Sequence, residues 1–215
     1  GKIMKNRTNI RKLLIIALLS TISIVLMLFD FPLFFAPNFY ELDFSEIPVL
    51  VGAFAYGPLT GVIIEAVKIL LNLMFTGSIT MGVGELANFL IGISLVVPAS
   101  VIYYRHKTKK RALIGLVVGT FTMVTVGALL NAFVLLPAYA FFLSTPQYTL
   151  TIADFVAAGA AVNPLVNNVF SLIMFAVVPF NLLKGILVSV VVLLIYKRVS
   201  MLIKAKDSED FEETN

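Results

Sequence analysis

The chain has 215 residues, of which 60% are apolar before its 13 glycines are added and only 13% are charged; soluble domains carry about 25% charged residues. No soluble fold of this length hides so much apolar side chain, and no disordered chain carries it, so the solvent is mostly lipid. The net charge is +4 and cysteine is absent, which excludes disulfides, thiolate metal sites and thiol nucleophiles.

In chain order, Gly1-Lys2-Ile3 ahead of Met4 reads as a cloning remnant. Residues 1–12 hold Lys2, Lys5, Arg7, Arg11 and Lys12 and form a basic N-terminus. Residues 13–29 are a first membrane helix, apolar without a cleavage site. Its small residues Ala17, Ser20 and Thr21 suit either a docking face for another membrane protein or internal packing. The loop from residue 30 to 46 carries Asp30, Glu41, Asp43 and Glu46, and interleaves Phe34, Phe35, Phe39, Tyr40 and Phe44 with Pro32 and Pro37. A stiff aromatic loop can cover an apolar planar ligand; the same rings also suit an interfacial aromatic belt.

Residues 46–57 are a short second crossing that breaks at Tyr56-Gly57-Pro58. Residues 58–75, 83–104 and 112–136 are each long enough to cross a hydrocarbon core of about 30 Å. The loop between the last two holds Arg105, Lys107, Lys109, Lys110 and Arg111, beside His106. Residues 138–178 are external, with apolar stretches at 152–162 and 165–178 that read as surface or re-entrant caps. Residues 179–197 are the last crossing, with Pro179 suited to its first turn. Lys197, Arg198, Lys204 and Lys206 follow it, and residues 201–215 are a polar cytoplasmic tail.

Fourteen of the 16 basic residues therefore fall into three clusters. Short basic loops stay cytoplasmic, and this segregation leaves no excess to explain by nucleic acid. Placing all three clusters inside requires the break at Gly57. The expected fold is all-α: a membrane domain over residues 13–200 with six transmembrane helices, both termini cytoplasmic and a long outer loop between the first two.

The polar residues left inside the membrane carry the functional reading, because a buried charge is expensive and faces a cavity or a partner. Lys68, Asn72, Glu85, Asn88, Asn131, Asn181 and Lys184 all fall in the outer half of the bundle, and Glu65 is the midplane carboxylate. This asymmetry predicts a pocket open to the outside with a dry floor. Glu65 and Lys68 also suit a simple i, i+3 pair, Glu85 a helix start, and Asn131 an interhelical hydrogen bond. Asn181 and Lys184 share a face with no acid nearby in sequence, so Lys184 needs a partner from elsewhere. Gly57-x-x-x-Gly61 and Gly115-x-x-x-Gly119 permit close helix approach. Phosphate-loop, H-E-x-x-H and G-x-S-x-G motifs are absent, so no catalytic residue and no metal ligand is expected.

Several stretches together, in this order, give a resemblance: Leu42-Asp43-Phe44-Ser45-Glu46-Ile47-Pro48, Tyr56-Gly57-Pro58, Glu65-Ala66-Val67-Lys68, Gly84-Glu85-Leu86-Ala87-Asn88, Leu130-Asn131, Leu136-Pro137-Ala138-Tyr139 and Pro179-Phe180-Asn181-Leu182-Leu183-Lys184-Gly185. Over residues 11–200 the chain resembles the substrate-binding S components of energy-coupling factor (ECF) vitamin transporters, most closely the riboflavin-specific type. The resemblance implies a bacterial plasma-membrane protein that binds riboflavin near its outer face, other flavins being left open, with no further cofactor. It implies partnership with a transmembrane T component and two cytoplasmic ATPases.

By resemblance, Asn131, Asn181 and Lys184 hold the ligand's polar groups, and the first-loop aromatics, among them Phe39 and Tyr40, cover its ring. Leu42, Asp43, Lys68, Glu85 and Asn88 complete the expected set. Family members carry Ala-x-x-x-Ala on the first helix for docking, where this chain has Ala17-x-x-x-Thr21. The alternative is an ion-coupled secondary transporter of a small heteroaromatic solute, acting without ATPases.

Overall fold

The computed structural model describes residues 2–201, with side chains from residue 9 onward. The expected remnant at residues 1–3, most of the basic N-terminus and all but the first residue of the polar tail are therefore outside the described side chains.

Helix α1 (Lys2–Met27) leads into a loop stapled by a two-residue hairpin, β1 (Phe31–Pro32) against β2 (Glu41–Leu42), with Phe31 opposite Leu42. The all-α expectation did not include this ladder. Then come α2 (Glu46–Tyr56), α3 (Pro58–Thr76), α4 (Val83–Arg105) and α5 (Lys109–Leu130). A π turn at Asn131–Leu135 carries α5 into α6 (Leu136–Phe142), and α7 (Ile152–Val162) stands alone. Finally α8 (Val169–Leu172) passes through a second π turn, Ile173–Val177, into α9 (Val178–Leu194).

Five of these helical runs are long and apolar enough to cross a membrane: Asn9–Met27, Pro58–Thr76, Val83–Arg105, Lys109–Phe142 and Val169–Leu194. The break at Tyr56-Gly57-Pro58 is present: Gly57 has φ 99° and begins α3 with Pro58 in its first turn. That φ is open to glycine and strained for other residues. The 11 residues of α2 rise only about 16 Å, roughly half the hydrocarbon thickness.

The last two crossings differ from expectation for one reason. Each contains an internal proline, which lacks an N–H and crowds the carbonyl four residues back. The chain widens by one residue instead of ending: the Leu136 N–H bonds the Asn131 carbonyl ahead of Pro137, and the Val178 N–H bonds the Ile173 carbonyl ahead of Pro179. The expected cap at 165–178 is therefore largely the outer part of the last crossing, which begins at Val169 and not at residue 179. The other stretch, 152–162, is a helix of those bounds, started by a capping box in which the Thr151 N–H and hydroxyl both donate to Asp154 Oδ2 at 2.7 and 2.9 Å. Those bonds hold the Asp154 carboxyl below its ordinary range.

Two apolar cores result, an inner one on the side of the 105–111 loop and an outer one on the side of the first loop. The inner one gathers Val49, Phe54, Ile64, Leu95, Tyr103, Leu116, Met123 and Val192, among others. Glycines set its helix spacing: a Cβ at Gly115 would strike the Ala99 carbonyl, and one at Gly119 the Leu95 carbonyl. Such backbone-level approach is how helices associate in lipid, where burial in itself gives no gain. The outer core gathers Ala36, Leu42, Leu136, Phe155, Val166, Leu172 and Phe180. It joins the first loop to α7 and to the outer part of the last crossing.

Candidate ligand-binding site

Between the two cores lies a cavity of about 510 Å³. Its apolar lining includes Met27, Leu28, Ile69, Ile91, Met123 and Leu135; Phe39, Tyr40, Tyr139 and Phe180 supply aromatic rings. Asn72, Asn88, Asn131, Asn181 and Lys184 supply polar groups.

The first loop forms one wall because the hairpin fixes both its ends. Phe39 packs on Tyr40 at 4.6 Å, on Tyr139 at 6.2 Å and edge-on to Phe155 at 5.5 Å. Tyr40 in turn meets Phe180 at 5.9 Å. Phe34 projects away from the cavity, 88% exposed. Burial, with Tyr139 nearby, pushes the Tyr40 phenol well above its ordinary range, so it stays a neutral donor.

At the cavity floor, charged groups from distant segments meet. Lys68 Nζ lies 2.8 Å from Glu46 Oε1 and 2.8 Å from Glu65 Oε1, and donates to Ser45 Oγ at 3.1 Å. Lys68 and Glu65 are 2% and 0% exposed. The i, i+3 pair expected from sequence is thus present, with Glu46 as an additional partner. Gly92 makes room for it, since a Cβ there would collide with the Glu65 carboxyl. The loop residues preceding α2 join the same network: the Ser45 N–H donates to Asp43 Oδ1 at 2.7 Å, and the Ser23 hydroxyl of α1 donates to the Ser45 carbonyl at 2.6 Å. Asp43 Oδ2 stands 3.9 Å from Lys184 Nζ. Lys184 therefore has the partner that its sequence neighbourhood lacks. Burial alone would raise the Asp43 carboxyl; Lys184, Lys68 and the hydrogen bonds from Ser45 outweigh it and hold the group below its ordinary range.

Of the residues singled out from sequence, Phe39, Tyr40, Asp43, Lys68, Asn88, Asn131, Asn181 and Lys184 line one cavity. Two do not. Leu42 is fully buried in the outer core, paired in the hairpin. Glu85 is in the first turn of α4 and accepts the Ser78 hydroxyl at 2.7 Å, which favours its helix-start reading. Lys68 lines the cavity with its ammonium already engaged. On α1, Ala17 and Thr21 are exposed, with the Thr21 hydroxyl bonded back to the Ala17 carbonyl at 2.8 Å. Ser20 faces inward and is buried, so it leaves the proposed outer stripe.

Sequence reasoning did not assign Asp30, Glu41, Glu46, Tyr139 or Phe180 to the site. Tyr139 and Phe180 sit inside the quoted Leu136-to-Tyr139 and Pro179-to-Gly185 stretches, which was the available signal. Gly127 matters by absence of a side chain: a Cβ there would stand 2.6 Å from Asn181 Nδ2.

Asn131 spends its amide on the Gly127 carbonyl at 2.8 Å. Its Oδ1 and the Tyr40 hydroxyl are buried without a protein partner, and both residues line the cavity. A buried polar atom left unpaired costs about 1–3 kcal/mol, so these atoms mark where a ligand would donate and accept. The arrangement suits a planar aromatic ligand with a polar edge, enclosed between rings and amides.

Residues 11–196 match the family described as ECF transporter, substrate-specific component. The riboflavin transporter RibU of Staphylococcus aureus is 36% identical over 206 residues, covering 95% of this chain and 98% of that protein. The riboflavin transporter FmnP of Bacillus subtilis is 32% identical, covering 93% of this chain and 97% of that one. A solved structure of the S component of a bacterial ECF transporter aligns with a TM-score of 0.68 at 34% identity, covering 91% of this chain and 99% of that one. The chain belongs to the substrate-specific S components of ECF transporters.

Proposed function

We propose that this chain is the riboflavin-binding membrane subunit of an ATP-driven ECF importer. The observation that carries the reading is the covered cavity of about 510 Å³ in which Asn131 Oδ1 and the Tyr40 hydroxyl await partners. The relatives named as riboflavin transporters support the choice of ligand. Asn131 and Asn181 hydrogen-bond the polar edge or the ribityl oxygens, and Lys184 donates to a carbonyl or ring nitrogen. Phe39, Tyr40 and Asp43 close the site from the first loop, and Asn88 extends its polar wall. Lys68 acts indirectly, by fixing the floor. Affinity comes mainly from enclosing the ring, and the polar groups select its edge.

In this reading the chain crosses a bacterial plasma membrane six times with both termini inside, the short α2 counting as one crossing. A T component docks on the face of α1 that carries Ala17 and Thr21, and two cytoplasmic ATPases drive the cycle. The chain itself performs no catalysis.

The deciding experiment is the visible spectrum of the purified protein after incubation with riboflavin and desalting. Retained flavin absorbance at one equivalent supports the reading; a colourless protein sinks it. Uptake by this chain alone, collapsed by an ionophore and indifferent to ATP, would instead favour an ion-coupled carrier.

A further inference from the structure

Asn163, at the C-terminal end of α7, is 7% exposed, and its side chain makes three hydrogen bonds, both N–H donors and the carbonyl oxygen being engaged. Nδ2 donates to the Phe35 carbonyl of the first loop at 3.2 Å and to the Phe175 carbonyl at 2.9 Å. Oδ1 accepts from the Leu165 N–H at 3.1 Å. Two carbonyls on one side and an N–H on the other leave only this amide orientation satisfied.

The Phe175 carbonyl is available for a structural reason. Its ordinary helical donor would be the residue four on, which is Pro179 and has no N–H. The proline within the last crossing thus leaves this carbonyl without its helical donor, and Asn163 occupies it. The loop side of the bond is equally constrained. Ala36 is fully buried, and Pro37 packs 3.6 Å from the position of a Cβ on Gly159, one turn before Asn163. Phe155, one turn earlier still, takes the edge contact from Phe39. Residues 155, 159 and 163 therefore present one face of α7 to the outer side of the loop that walls the cavity.

We propose that Asn163 is a positioning residue for the bound state: its side-chain amide latches the first loop to the last crossing beneath α7 and so sets the rate at which ligand leaves. This rests on the riboflavin reading of the cavity. The loop is no free flap. It is held against α7, and among the described residues the polar part of that contact is one amide joining segments 128 and 12 residues away in sequence.

The test loads the full-length protein with riboflavin in detergent, chases it with excess unlabelled ligand, and follows release by recovery of flavin fluorescence. Asn163→Asp keeps the Oδ1 bond to Leu165 and loses both donations. Release from it is expected to be about tenfold faster than wild type at pH 9. A carboxyl buried against the Phe35 and Phe175 carbonyl oxygens is raised above its ordinary range, so release is expected to slow again as pH falls to 5.5 and the protonated group regains one donor, while Asn163→Ala stays fast at both values and wild type is flat. A purely structural role would not produce that rescue. Asn163→Gln, with the amide on a longer stem, is the milder variant should the shorter ones fail to fold; a few-fold acceleration is expected.

Wild-type release rates in every folded variant, with wild-type hydrogen exchange across residues 33–42, would overturn the latch. A wild-type protein that binds no riboflavin overturns the function reading instead. The latch is then decided by exchange alone, which is expected to accelerate in residues 33–42 of the variants and not in α3 to α5.

Discussion

The inner and outer halves of the molecule are closed by different means. At the inner end α4 and α5 meet at the backbone, through Gly115 against the Ala99 carbonyl and Gly119 against the Leu95 carbonyl, and Phe54 stacks on Tyr103 at 4.5 Å. At the outer end the first loop is held mainly by side chains, through ring edges and one asparagine. Backbone contact cannot open without separating helices, whereas ring and amide contacts can exchange partners. On the proposed function, the difference predicts that the loop end moves during ligand binding and that the α4–α5 contact stays fixed.

The largest expected effect falls on the boundary between the halves. Lys68 pairs with both Glu46 and Glu65, all three side chains being buried. Lys68→Ala leaves two buried carboxyls without their cation, and removing one partner of a buried ion pair costs about 3–5 kcal/mol. Thermal unfolding in detergent is expected to show a large loss of stability. The triple change Lys68→Met, Glu46→Gln, Glu65→Gln removes every ionisable group of the cluster and is expected to recover much of it. If the single and triple variants are equally unstable, the cluster is not an ion balance.

Next comes the inner contact itself. Gly115→Val drives a side chain into a backbone carbonyl that has no rotamer to change. Overpacking of this kind costs about 1–3 kcal/mol, read as a lower unfolding temperature. Gly159→Ala, near the first loop, has the ends of Leu172 and Val166 and the ring of Pro37 as its nearest neighbours. It is expected to change unfolding little and ligand release more. Reversal of that order would break the contrast between the halves.

Much of this arrangement was legible from sequence because its signals are local. Apolar runs set the long helices, Gly57-Pro58 set the break, and the i, i+3 spacing of Asn181 and Lys184 put both on one cavity wall. What was illegible depends on long-range pairing. Glu46 reaches Lys68 across 22 residues and Asn163 reaches Phe35 across 128, and no spacing rule connects such pairs. The start of the last crossing was misplaced for a third reason. Pro179 reads as a first-turn proline, yet a π turn lets the helix run through it.

Within the cavity, Asn131→Ala tests whether the unpaired oxygen belongs to the ligand. The variant removes Oδ1 and frees the Gly127 carbonyl, without touching either core. Riboflavin affinity is expected to fall about tenfold, the worth of one hydrogen bond, while unfolding of the empty protein hardly moves. Lys184→Ala should behave similarly in titration, and equal affinities for both variants and wild type would remove the pocket assignment.

The smallest effect concerns pH. Asp43 joins the first loop to Lys184 across 3.9 Å, and its carboxyl is held below the ordinary value of about 3.9. A depressed carboxyl contributes its stabilisation in full above its free value and loses it as pH falls through the depressed one. Between pH 8 and 5 this pair is therefore constant, and the closed loop should gain or lose nothing from it. Below about pH 4 ligand release should quicken. Asp43→Asn removes that acid limb and, because the contact is long and edges the cavity, should speed release at pH 7 by only a few fold. A wild-type release rate that climbs steadily from pH 8 to pH 5 would assign closure of the outer half to some other titrating group.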